Sequence, residues 1–258
     1  MKHLLTVLFA VSALIAGCGR EHDAQDRGPE LRDIPARPAD VAPPAPAASS
    51  AAPGVAEGRP RIVFLGDSLT AGYGLESKNQ SVPSLIQKRL DAEGYSVEVV
   101  NHGVSGDTTA GGVSRVEWAL NGDVRILVVE LGGNDGLRGL PVEVTKQNLA
   151  QIITTARQRG VRVLLTGMEA PPSYGPTYTS QFRQLFRDLA KEQDVAFMPF
   201  FLEGVAGIPR LNQADGIHPT AEGAVIVEQA VWKSLKPLLS QVRLKPDTTT
   251  RKTDTTTQ

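Results

Sequence analysis

Short apolar runs rich in β-branched residues alternate with segments of helical periodicity through residues 61–239. This alternation is typical of a parallel sheet covered on both faces by helices, because strands buried on both faces are apolar along their whole length. The sequence therefore predicts one α/β domain over residues 61–240. Its predicted strands are residues 61–65, 96–100, 126–131, 161–165 and 195–198.

Two of the segments between the strands carry an apolar stripe at the spacing of an amphipathic helix. The stripes consist of Leu149, Ile152, Ile153 and Ala156 in one segment and of Phe182, Leu185, Phe186, Leu189 and Ala190 in the other. Both stripes are predicted to face the core. We expect Gly160 to cap the end of the first helix and Pro219 to begin the last helix of the domain.

The N-terminus has the pattern of an export signal. Lys2 and His3 precede an apolar run over residues 4–16, which is shorter than the roughly 20 residues of a membrane-spanning helix. The run ends in Leu-Ile-Ala-Gly-Cys at Cys18, which resembles a bacterial lipobox, and no second cysteine is available for an intramolecular disulfide. We expect residues 1–18 to be a lipoprotein-type signal peptide and Cys18 to be lipidated. An ordinary signal peptide with a soluble periplasmic product is the alternative.

Residues 19–60 are polar and then rich in proline and alanine, and residues 241–258 repeat Asp-Thr-Thr-Thr. Neither segment has enough apolar residues to form a core, so we expect a disordered tether and a disordered tail. The 27 Lys and Arg residues nearly balance the 28 Asp and Glu residues, for a net charge of -1. This balance argues against nucleic-acid binding, because no broad positive surface is available.

Polar residues follow four of the predicted strands. Ser68 follows the first strand, Gly106 the second and Asn134 the third, while Asp215 and His218 lie in the loop after the last. Ligands of an open parallel sheet bind outside the carboxyl ends of its strands, at the point where the strand order reverses. We therefore expect these four segments to meet at one edge of the sheet.

This set of residues has the chemistry of a serine esterase. Ser68 needs a base to become a nucleophile, His218 is the candidate, and Asp215 is close enough in sequence to orient the imidazole. The developing oxyanion can accept hydrogen bonds from the backbone N–H groups of Ser68 and Gly106 and from the side-chain amide of Asn134. We expect this amide to project from a turn at Gly132 and Gly133. Each residue alone has an ordinary explanation as a helix cap or turn, and only the combination predicts catalysis.

Asp67, Asp107 and Asp135 lie beside these residues and could be mistaken for metal ligands. We interpret them as helix caps and loop braces, because carboxylates near helix starts accept hydrogen bonds from free N–H groups. Cys18 is the only cysteine and the four histidines show no zinc-ligand spacing. We expect an enzyme with no metal and no cofactor.

The four segments resemble the blocks of the SGNH/GDSL hydrolase superfamily, with Ser68 in Gly-Asp-Ser-Leu, Gly106 in Val-Ser-Gly-Asp-Thr-Thr, Asn134 in Gly-Gly-Asn-Asp and His218 in Asp-Gly-Ile-His-Pro. A closer similarity is to the bacterial thioesterase I, lysophospholipase L1 and arylesterase branch. It is carried by Leu-Gly-Asp-Ser-Leu-Thr-Ala-Gly-Tyr-Gly over residues 65–74, Glu-Leu-Gly-Gly-Asn-Asp-Gly-Leu-Arg-Gly over residues 130–139 and Met-Pro-Phe-Phe-Leu over residues 198–202.

The resemblance implies a three-layer flavodoxin-like fold with a five-stranded parallel sheet. It implies Ser68 as nucleophile, His218 as base and Asp215 as its partner, acting on acyl thioesters, lysophospholipids and aryl or short-chain esters. Residues 136–141 resemble the mobile substrate loop of this branch, and residues 168–178 resemble the opposite wall of its acyl groove. The candidate groove residues are Leu137, Leu140, Pro171 and Tyr174, with simple loop packing as the alternative.

Two other functions stay open at this point. One is an O-deacetylase of envelope polysaccharide, and the other is a non-catalytic envelope-binding lipoprotein. Familiar members of the branch are soluble periplasmic enzymes, whereas this chain has a lipobox at Cys18 and a long tether. We expect a monomeric enzyme that is exported to the bacterial cell envelope and anchored in a membrane, facing the periplasm.

Overall fold

The protein is described by a computed structural model, which covers residues 58–242 and Leu244. The predictions for the signal peptide, for Cys18 and for most of the tether and the tail concern residues outside these ranges. No helix within the described ranges has the length and apolar character needed to cross a membrane.

Five strands form one parallel sheet with the order β2-β1-β3-β4-β5. They are β1 (Arg61–Gly66), β2 (Glu98–Gly103), β3 (Val124–Glu130), β4 (Arg162–Thr166) and β5 (Ala196–Met198). Because β1 lies between β2 and β3, the order of strands reverses beside it, which places the predicted ligand site at the end of β1. The five-stranded parallel sheet is confirmed.

The second strand lies later than predicted. The prediction was residues 96–100, whereas β2 runs from Glu98 to Gly103. The backbone N–H of Glu98 donates to the carbonyl of Pro60 at 2.9 Å, and this bond opens the pairing with β1. The polar end of β2, at Asn101 and His102, is tolerated because β2 is an edge strand with only part of its surface buried.

Seven α-helices are present within the described part of the chain: α1 (Ser68–Ala71), α2 (Val82–Ala92), α3 (Thr109–Ala119), α4 (Gly133–Leu137), α5 (Val142–Gln158), α6 (Gly175–Glu192) and α7 (Ala221–Gln241). Helix α5 packs between α3 and α6, and α2 packs against α7. These two groups cover the sheet, which gives the three-layer α/β architecture. All residues of the two predicted apolar stripes are buried in the core.

The helix ends test two further predictions. Helix α5 ends at Gln158, and Gly160 follows with a left-handed φ of +73°, as predicted for a capping glycine. The prediction for Pro219 was wrong, because α7 begins at Ala221. Its N-cap is Thr220, whose hydroxyl accepts a hydrogen bond from the N–H of Gly223 at 3.2 Å. Helix α7 also extends to Gln241, one residue past the predicted end of the domain.

Candidate active site

The nucleophile candidate lies on a sharp turn between β1 and α1. Ser68 is the first residue of α1, and Asp67 caps the helix by accepting a hydrogen bond from the N–H of Leu69 at 2.9 Å. Gly66 ends β1 without a side chain because a Cβ there would collide with Thr70 and Glu130. Ser68 is half-buried at this turn.

Ser68, His218 and Asp215 form a continuous hydrogen-bonded chain. The Oγ of Ser68 lies 2.9 Å from Nε2 of His218, and Nδ1 of His218 lies 2.7 Å from Oδ2 of Asp215. With the proton on Nδ1, the imidazole donates to Asp215 and accepts from the Ser68 hydroxyl. The arrangement is suited to removing a proton from Ser68.

Both carboxylate oxygens of Asp215 accept hydrogen bonds. Its Oδ1 accepts hydrogen bonds from the backbone N–H of Ile217 at 2.9 Å and of His218 at 3.0 Å, while Oδ2 faces the imidazole. The backbone N–H groups of His218 and Ile217, followed by the imidazole, lower the pKa of Asp215 to about 2. Asp215 therefore stays ionised at any pH at which the enzyme is expected to act.

Two residues that the sequence patterns did not single out hold the His218 loop in place. The backbone N–H of Gln213 donates to the carbonyl of His218 at 2.7 Å. The side-chain amide of Gln213 donates to the carbonyls of Tyr73 at 2.7 Å and Pro219 at 2.9 Å. The only sequence signal was that Tyr73 falls inside the matched block at residues 65–74. No local pattern marked Gln213.

Asn134 lies on a helix rather than on a turn, which corrects the prediction. Gly132 adopts a left-handed φ of +111° and caps α4, so that Asn134 is the second residue of this short helix. One N–H of its side-chain amide donates to Oδ2 of Asp67 at 3.0 Å. Because a primary amide has two N–H groups, the second can serve an oxyanion.

Gly106 lies in the loop after β2 with a left-handed φ of +82°. A Cβ there would meet no atom closer than the Arg138 guanidinium, at 4.0 Å. Backbone conformation rather than crowding within the protein therefore favours glycine here. Nη2 of Arg138 donates to the carbonyl of Gly106 at 2.9 Å and ties this loop to the end of α4.

The sheet register brings the three predicted oxyanion donors to one edge. Gly66 is paired with Gly103 of β2 and with Glu130 of β3. Each of these three residues is followed, within four positions in sequence, by one of the donors: Ser68, Gly106 and Asn134. The backbone N–H groups of Ser68 and Gly106 donate no hydrogen bond within the described part of the chain. They are therefore available to a bound substrate.

The three neighbouring aspartates act as caps and braces, as predicted. Asp67 caps α1, and Asp107 forms an ion pair with Arg115 at 2.7 Å. Asp135 is buried and accepts hydrogen bonds from the backbone N–H of Thr109 at 2.9 Å and from its hydroxyl at 2.5 Å, so that it caps α3. Among residues 58–242 and Leu244, no three His, Cys, Asp or Glu side chains cluster as metal ligands.

The predicted groove segments contact each other at one point. The Tyr174 hydroxyl donates to the carbonyl of Leu137 at 3.0 Å, and both side chains are exposed, whereas Leu140 and Pro171 are half-buried. The ring of Tyr174 begins an aromatic row that continues through Tyr178 into the core. These contacts join residues 136–141 to residues 168–178.

A small apolar recess opens directly beside the catalytic pair and contains none of the four predicted groove residues. It is lined by Ser68, Leu69, Gly72, Tyr73, Leu75, Val82, His218, Pro219 and Ala224. A larger cleft of about 620 Å³ lies beside Arg157, Arg162 and Asp194, near the amino ends of β4 and β5. It contains none of the residues that the sequence predicts for the site.

A parallel α/β sheet that carries a Ser-His-Asp chain and free N–H donors at its carboxyl edge defines a serine hydrolase. Residues 64–226 match the GDSL-like Lipase/Acylhydrolase family. The chain belongs to this family and is an ester hydrolase, as the sequence motifs predicted.

Named relatives and a solved structure agree with this assignment. The chain is 46% identical over 179 residues to esterase TesA of Pseudomonas aeruginosa, covering 69% of this chain and 89% of the relative. It is 37% identical over 180 residues to thioesterase 1/protease 1/lysophospholipase L1 of Escherichia coli K12, covering 69% and 85%. A crystal structure of TesA superposes with a TM-score of 0.67 at 44% identity, covering 69% of this chain and 99% of that chain.

Proposed function

We propose that this esterase acts through an acyl-Ser68 intermediate, with His218 as general base and Asp215 as its orienting partner. The observation that carries the proposal is the hydrogen-bonded chain from Ser68 Oγ to His218 Nε2 at 2.9 Å and from His218 Nδ1 to Asp215 Oδ2 at 2.7 Å. The first of these contacts joins two residues that lie 150 positions apart in sequence.

The reaction proceeds in two halves. Ser68 Oγ attacks the acyl carbon while its proton passes to Nε2 of His218, and the imidazolium then gives that proton to the departing alcohol or thiol. In the second half, water attacks the acyl-enzyme and gives its proton to His218. The proton returns to Ser68 Oγ as the carboxylic acid leaves.

Three donors stabilise the tetrahedral intermediates of both halves. The backbone N–H groups of Ser68 and Gly106 and the second amide N–H of Asn134 donate to the oxyanion, and loss of one such donor typically lowers kcat about 10²- to 10³-fold. The Arg138 contact with the Gly106 carbonyl supports this role, because it holds the loop that bears the second donor.

The proposed substrates are acyl esters and thioesters, including lysophospholipids. Support comes from the relatives named esterase TesA and thioesterase 1/protease 1/lysophospholipase L1. Further support comes from the exposed side chains of Leu137 and Tyr174 and from the apolar recess beside Ser68. We propose that an acyl chain lies against these apolar surfaces.

We also propose that Cys18 carries a lipid that anchors the enzyme in the cell envelope, facing the periplasm. The support is the Leu-Ile-Ala-Gly-Cys sequence and the tether of residues 19–60. At about 3.1 Å per residue in an extended polyproline conformation, such a tether reaches on the order of 100 Å from a bilayer. Labelling of cells with a fatty-acid probe, followed by membrane fractionation, tests the anchor. Soluble, unlabelled protein that behaves like Cys18→Ala would exclude it.

A fluorophosphonate probe tests the catalytic assignment. We expect one covalent adduct on Ser68 in the wild type, none in Ser68→Ala, and loss of ester turnover in that variant with the fold retained. Ser114→Ala is the matched control, because the exposed Ser114 hydroxyl only donates to the carbonyl of Gly111 within its own helix. Retained turnover in Ser68→Ala would remove the nucleophile assignment, and an unlabelled, inactive wild type would favour a binding protein.

A substrate panel tests the acyl specificity. It comprises p-nitrophenyl esters from acetyl to palmitoyl, acyl-CoA, lysophosphatidylcholine and an acetylated polysaccharide. We expect kcat/KM to rise beyond the acetyl ester, because a longer chain buries more apolar surface against the enzyme. Activity restricted to acetyl groups, with turnover of the polysaccharide, would favour the deacetylase instead.

A further inference from the structure

Two buried carboxyl groups lie beneath the nucleophile turn, and neither belongs to the Ser-His-Asp chain. Glu130 is the last residue of β3 and is completely buried. Asp67 precedes Ser68 and is only 2% exposed. Buried carboxyl groups require hydrogen-bond partners or a retained proton. The partners of these two groups indicate what they do.

Every hydrogen bond of the Glu130 side chain is made to the turn that carries Ser68. Its Oε2 accepts from the hydroxyl of Thr70 at 2.7 Å and from the backbone N–H groups of Thr70 at 3.2 Å and Asp67 at 3.3 Å. These three bonds tie the turn to the end of β3. The second oxygen, Oε1, is buried and has no partner among the described residues.

Glu130 is therefore suited to be a neutral acid. A charged oxygen without a donor is unfavourable in a buried site, whereas a protonated oxygen avoids most of this penalty. Burial first, and the neighbouring Asp67 carboxyl second, hold the pKa of Glu130 well above its usual range. The three donors at Oε2 oppose this effect without cancelling it.

Asp67 connects the nucleophile turn to Asn134. Its Oδ1 accepts from the N–H of Leu69 at 2.9 Å, and its Oδ2 accepts from Nδ2 of Asn134 at 3.0 Å. Burial raises the pKa of Asp67 to about 6, while the Leu69 N–H, the Asn134 amide, the charge of His218 and the Glu130 side chain oppose the rise. At neutral pH Asp67 is thus an ionised acceptor that holds one N–H of Asn134 and leaves the other free.

We propose that Glu130 and Asp67 are positioning residues that act together. Neutral Glu130 fixes the Ser68 turn on β3, and ionised Asp67 orients the Asn134 amide toward the oxyanion. The inference rests on the proposed function, because it requires Asn134 to be an oxyanion donor. The proposal requires that Glu130 and Asp67 together carry only one negative charge. Two buried negative charges beside the site would oppose formation of the oxyanion.

A double-mutant cycle tests the link from Asp67 to Asn134. The amide of Asp67→Asn has only one acceptor oxygen, so it cannot serve both Leu69 and Asn134. We expect kcat to fall roughly 10²- to 10³-fold with little change in KM, as for Asn134→Ala. In the double variant the loss should be no larger than in either single variant, because Asp67 acts through Asn134. Multiplicative losses in the folded double variant would overturn this link.

Glu130 is tested with one conservative and one apolar variant. The amide oxygen of Glu130→Gln can accept the same three hydrogen bonds without a charge, so this variant should keep at least roughly a third of wild-type kcat. Glu130→Leu removes the acceptor, and its kcat should fall more than about tenfold. A large loss in folded Glu130→Gln would show that the charge is required and would overturn the neutral-acid assignment, even if Glu130→Leu does not fold.

Glu228→Gln is the matched control. Glu228 is also a buried glutamate, but it pairs with Arg89 on α2, outside the site. We expect its kcat and its pH profile to equal those of the wild type. A change in Glu228→Gln similar to that in Glu130→Gln would mean that any buried carboxyl affects turnover, and the positioning role would be lost.

The pH dependence of kcat distinguishes a positioning role of Asp67 from a purely structural role, because a purely structural role would not change the slope of the pH profile. The charged and titratable groups around Asp67 are Glu130 on β3, His218 before α7 and Arg115 on α3, which donates to the carbonyl of Gly66 and pairs with Asp107. Protonation of Asp67 below about pH 6 weakens its hold on Asn134. As the pH is lowered below about 6, we expect log kcat of the wild type to fall by more than one unit per pH unit. In Asp67→Asn we expect log kcat to fall by one unit per pH unit. Equal slopes would contradict the proposal.

The fluorophosphonate adduct separates this proposal from the proposed function. If the probe labels Ser68 and Ser68→Ala is inactive, the catalytic assignment stands whatever the Asp67 and Glu130 variants do. If the wild type is unlabelled, the proposed function itself has failed.

Discussion

The ring of Tyr73 lies against the imidazole of His218, with ring centroids 4.7 Å apart and planes tilted by 45°. Its backbone carbonyl accepts a hydrogen bond from the side chain of Gln213, whose backbone N–H donates to the carbonyl of His218. The segment after α1 therefore holds the proposed base through an aromatic contact and a hydrogen-bonded link. His218 is fixed by more than its contact with Asp215.

Replacement of Tyr73 tests the aromatic contact. An aromatic face stabilises a neighbouring cation by about 0.5–1 kcal/mol at exposed sites, and the imidazolium of His218 forms during each half-reaction. Tyr73→Ala should lower kcat about two- to fivefold. Tyr73→Phe keeps the ring and should behave like the wild type in steady-state assays. Equal losses in both variants would assign the effect to the hydroxyl instead.

Asp215→Asn separates orientation of the imidazole from support of its loop. The amide oxygen can still accept from the N–H groups of Ile217 and His218, but the NH₂ group now faces Nδ1 and favours the wrong tautomer. We expect kcat to fall roughly 10²- to 10⁴-fold with little change in melting temperature. Asp215→Ala should lower both kcat and the melting temperature, because this change also removes the acceptor of the two backbone N–H groups. Similar melting temperatures for the two variants would contradict the loop-supporting role.

The pKa of Asp215 sets the sign of its contribution to pH dependence. Because its pKa is lowered from 3.8 to about 2 in the folded protein, the stability that it contributes is complete above pH 3.8 and is lost as the pH falls toward 2. Loss of activity between about pH 5 and pH 7 is therefore not due to Asp215. The melting temperature of the wild type should therefore fall relative to that of Asp215→Asn as the pH decreases from about 4 to about 2. A difference that stays constant over this interval would contradict the lowered pKa of Asp215.

The main features of the fold follow from local sequence. The apolar runs of β1 and β3 cannot be mistaken for loops, and the carboxyl ends of parallel strands bring Ser68, Gly106, Asn134 and His218 to one edge. The end of β2 was missed because polar residues on an edge strand resemble a loop. The start of α4 was missed because Gly132 and Gly133 read equally well as a turn, and only the left-handed conformation of Gly132 makes it a helix cap.

The supporting residues of the site are harder to find in a sequence. Gln213 contacts Tyr73 across 140 residues, and Glu130 contacts Thr70 across 60 residues. No periodicity or spacing rule links such pairs, and Glu130 reads simply as the polar end of a strand. Catalytic residues can be recognised by their chemistry, whereas these residues are defined only by what they touch in the folded chain.

Tyr174→Phe tests the groove. The Tyr174 hydroxyl donates to the carbonyl of Leu137, so its removal releases a tie on residues 136–141. We expect KM for long-chain esters to rise roughly two- to fivefold, the effect of one lost hydrogen bond, while acetyl ester turnover is unchanged. Tyr95→Phe is the control, because the Tyr95 hydroxyl makes no hydrogen bond within the described residues. Equal changes for acetyl and long-chain esters would argue against a groove at this position.

Asp135→Ala tests the brace between α4 and α3. Asp135 is 1% exposed and accepts hydrogen bonds from the N–H and hydroxyl of Thr109 and from the hydroxyl of Thr145. Its removal leaves three buried donors without this acceptor, and we expect the free energy of unfolding to fall by about 3 kcal/mol. Urea denaturation measures the change. Asp91→Ala on α2 is the control, because Asp91 is exposed and accepts only from the side chain of Gln87. A similar loss there would show that the buried contacts are not responsible.

Glu130→Gln should stabilise the protein increasingly as pH rises. A carboxyl whose folded pKa is raised keeps its proton in the native state, while the unfolded chain releases it above the usual value of 4.5. Stability then falls with rising pH in that interval, because the unfolded state binds fewer protons than the native state. Glutamine has no proton to release, so the melting temperature of the variant relative to wild type should increase from about pH 5 to pH 8. Glu228→Gln loses the ion pair with Arg89 and should be less stable than wild type over the same range. A constant difference between Glu130→Gln and wild type would mean that Glu130 is already ionised in the native enzyme at pH 5.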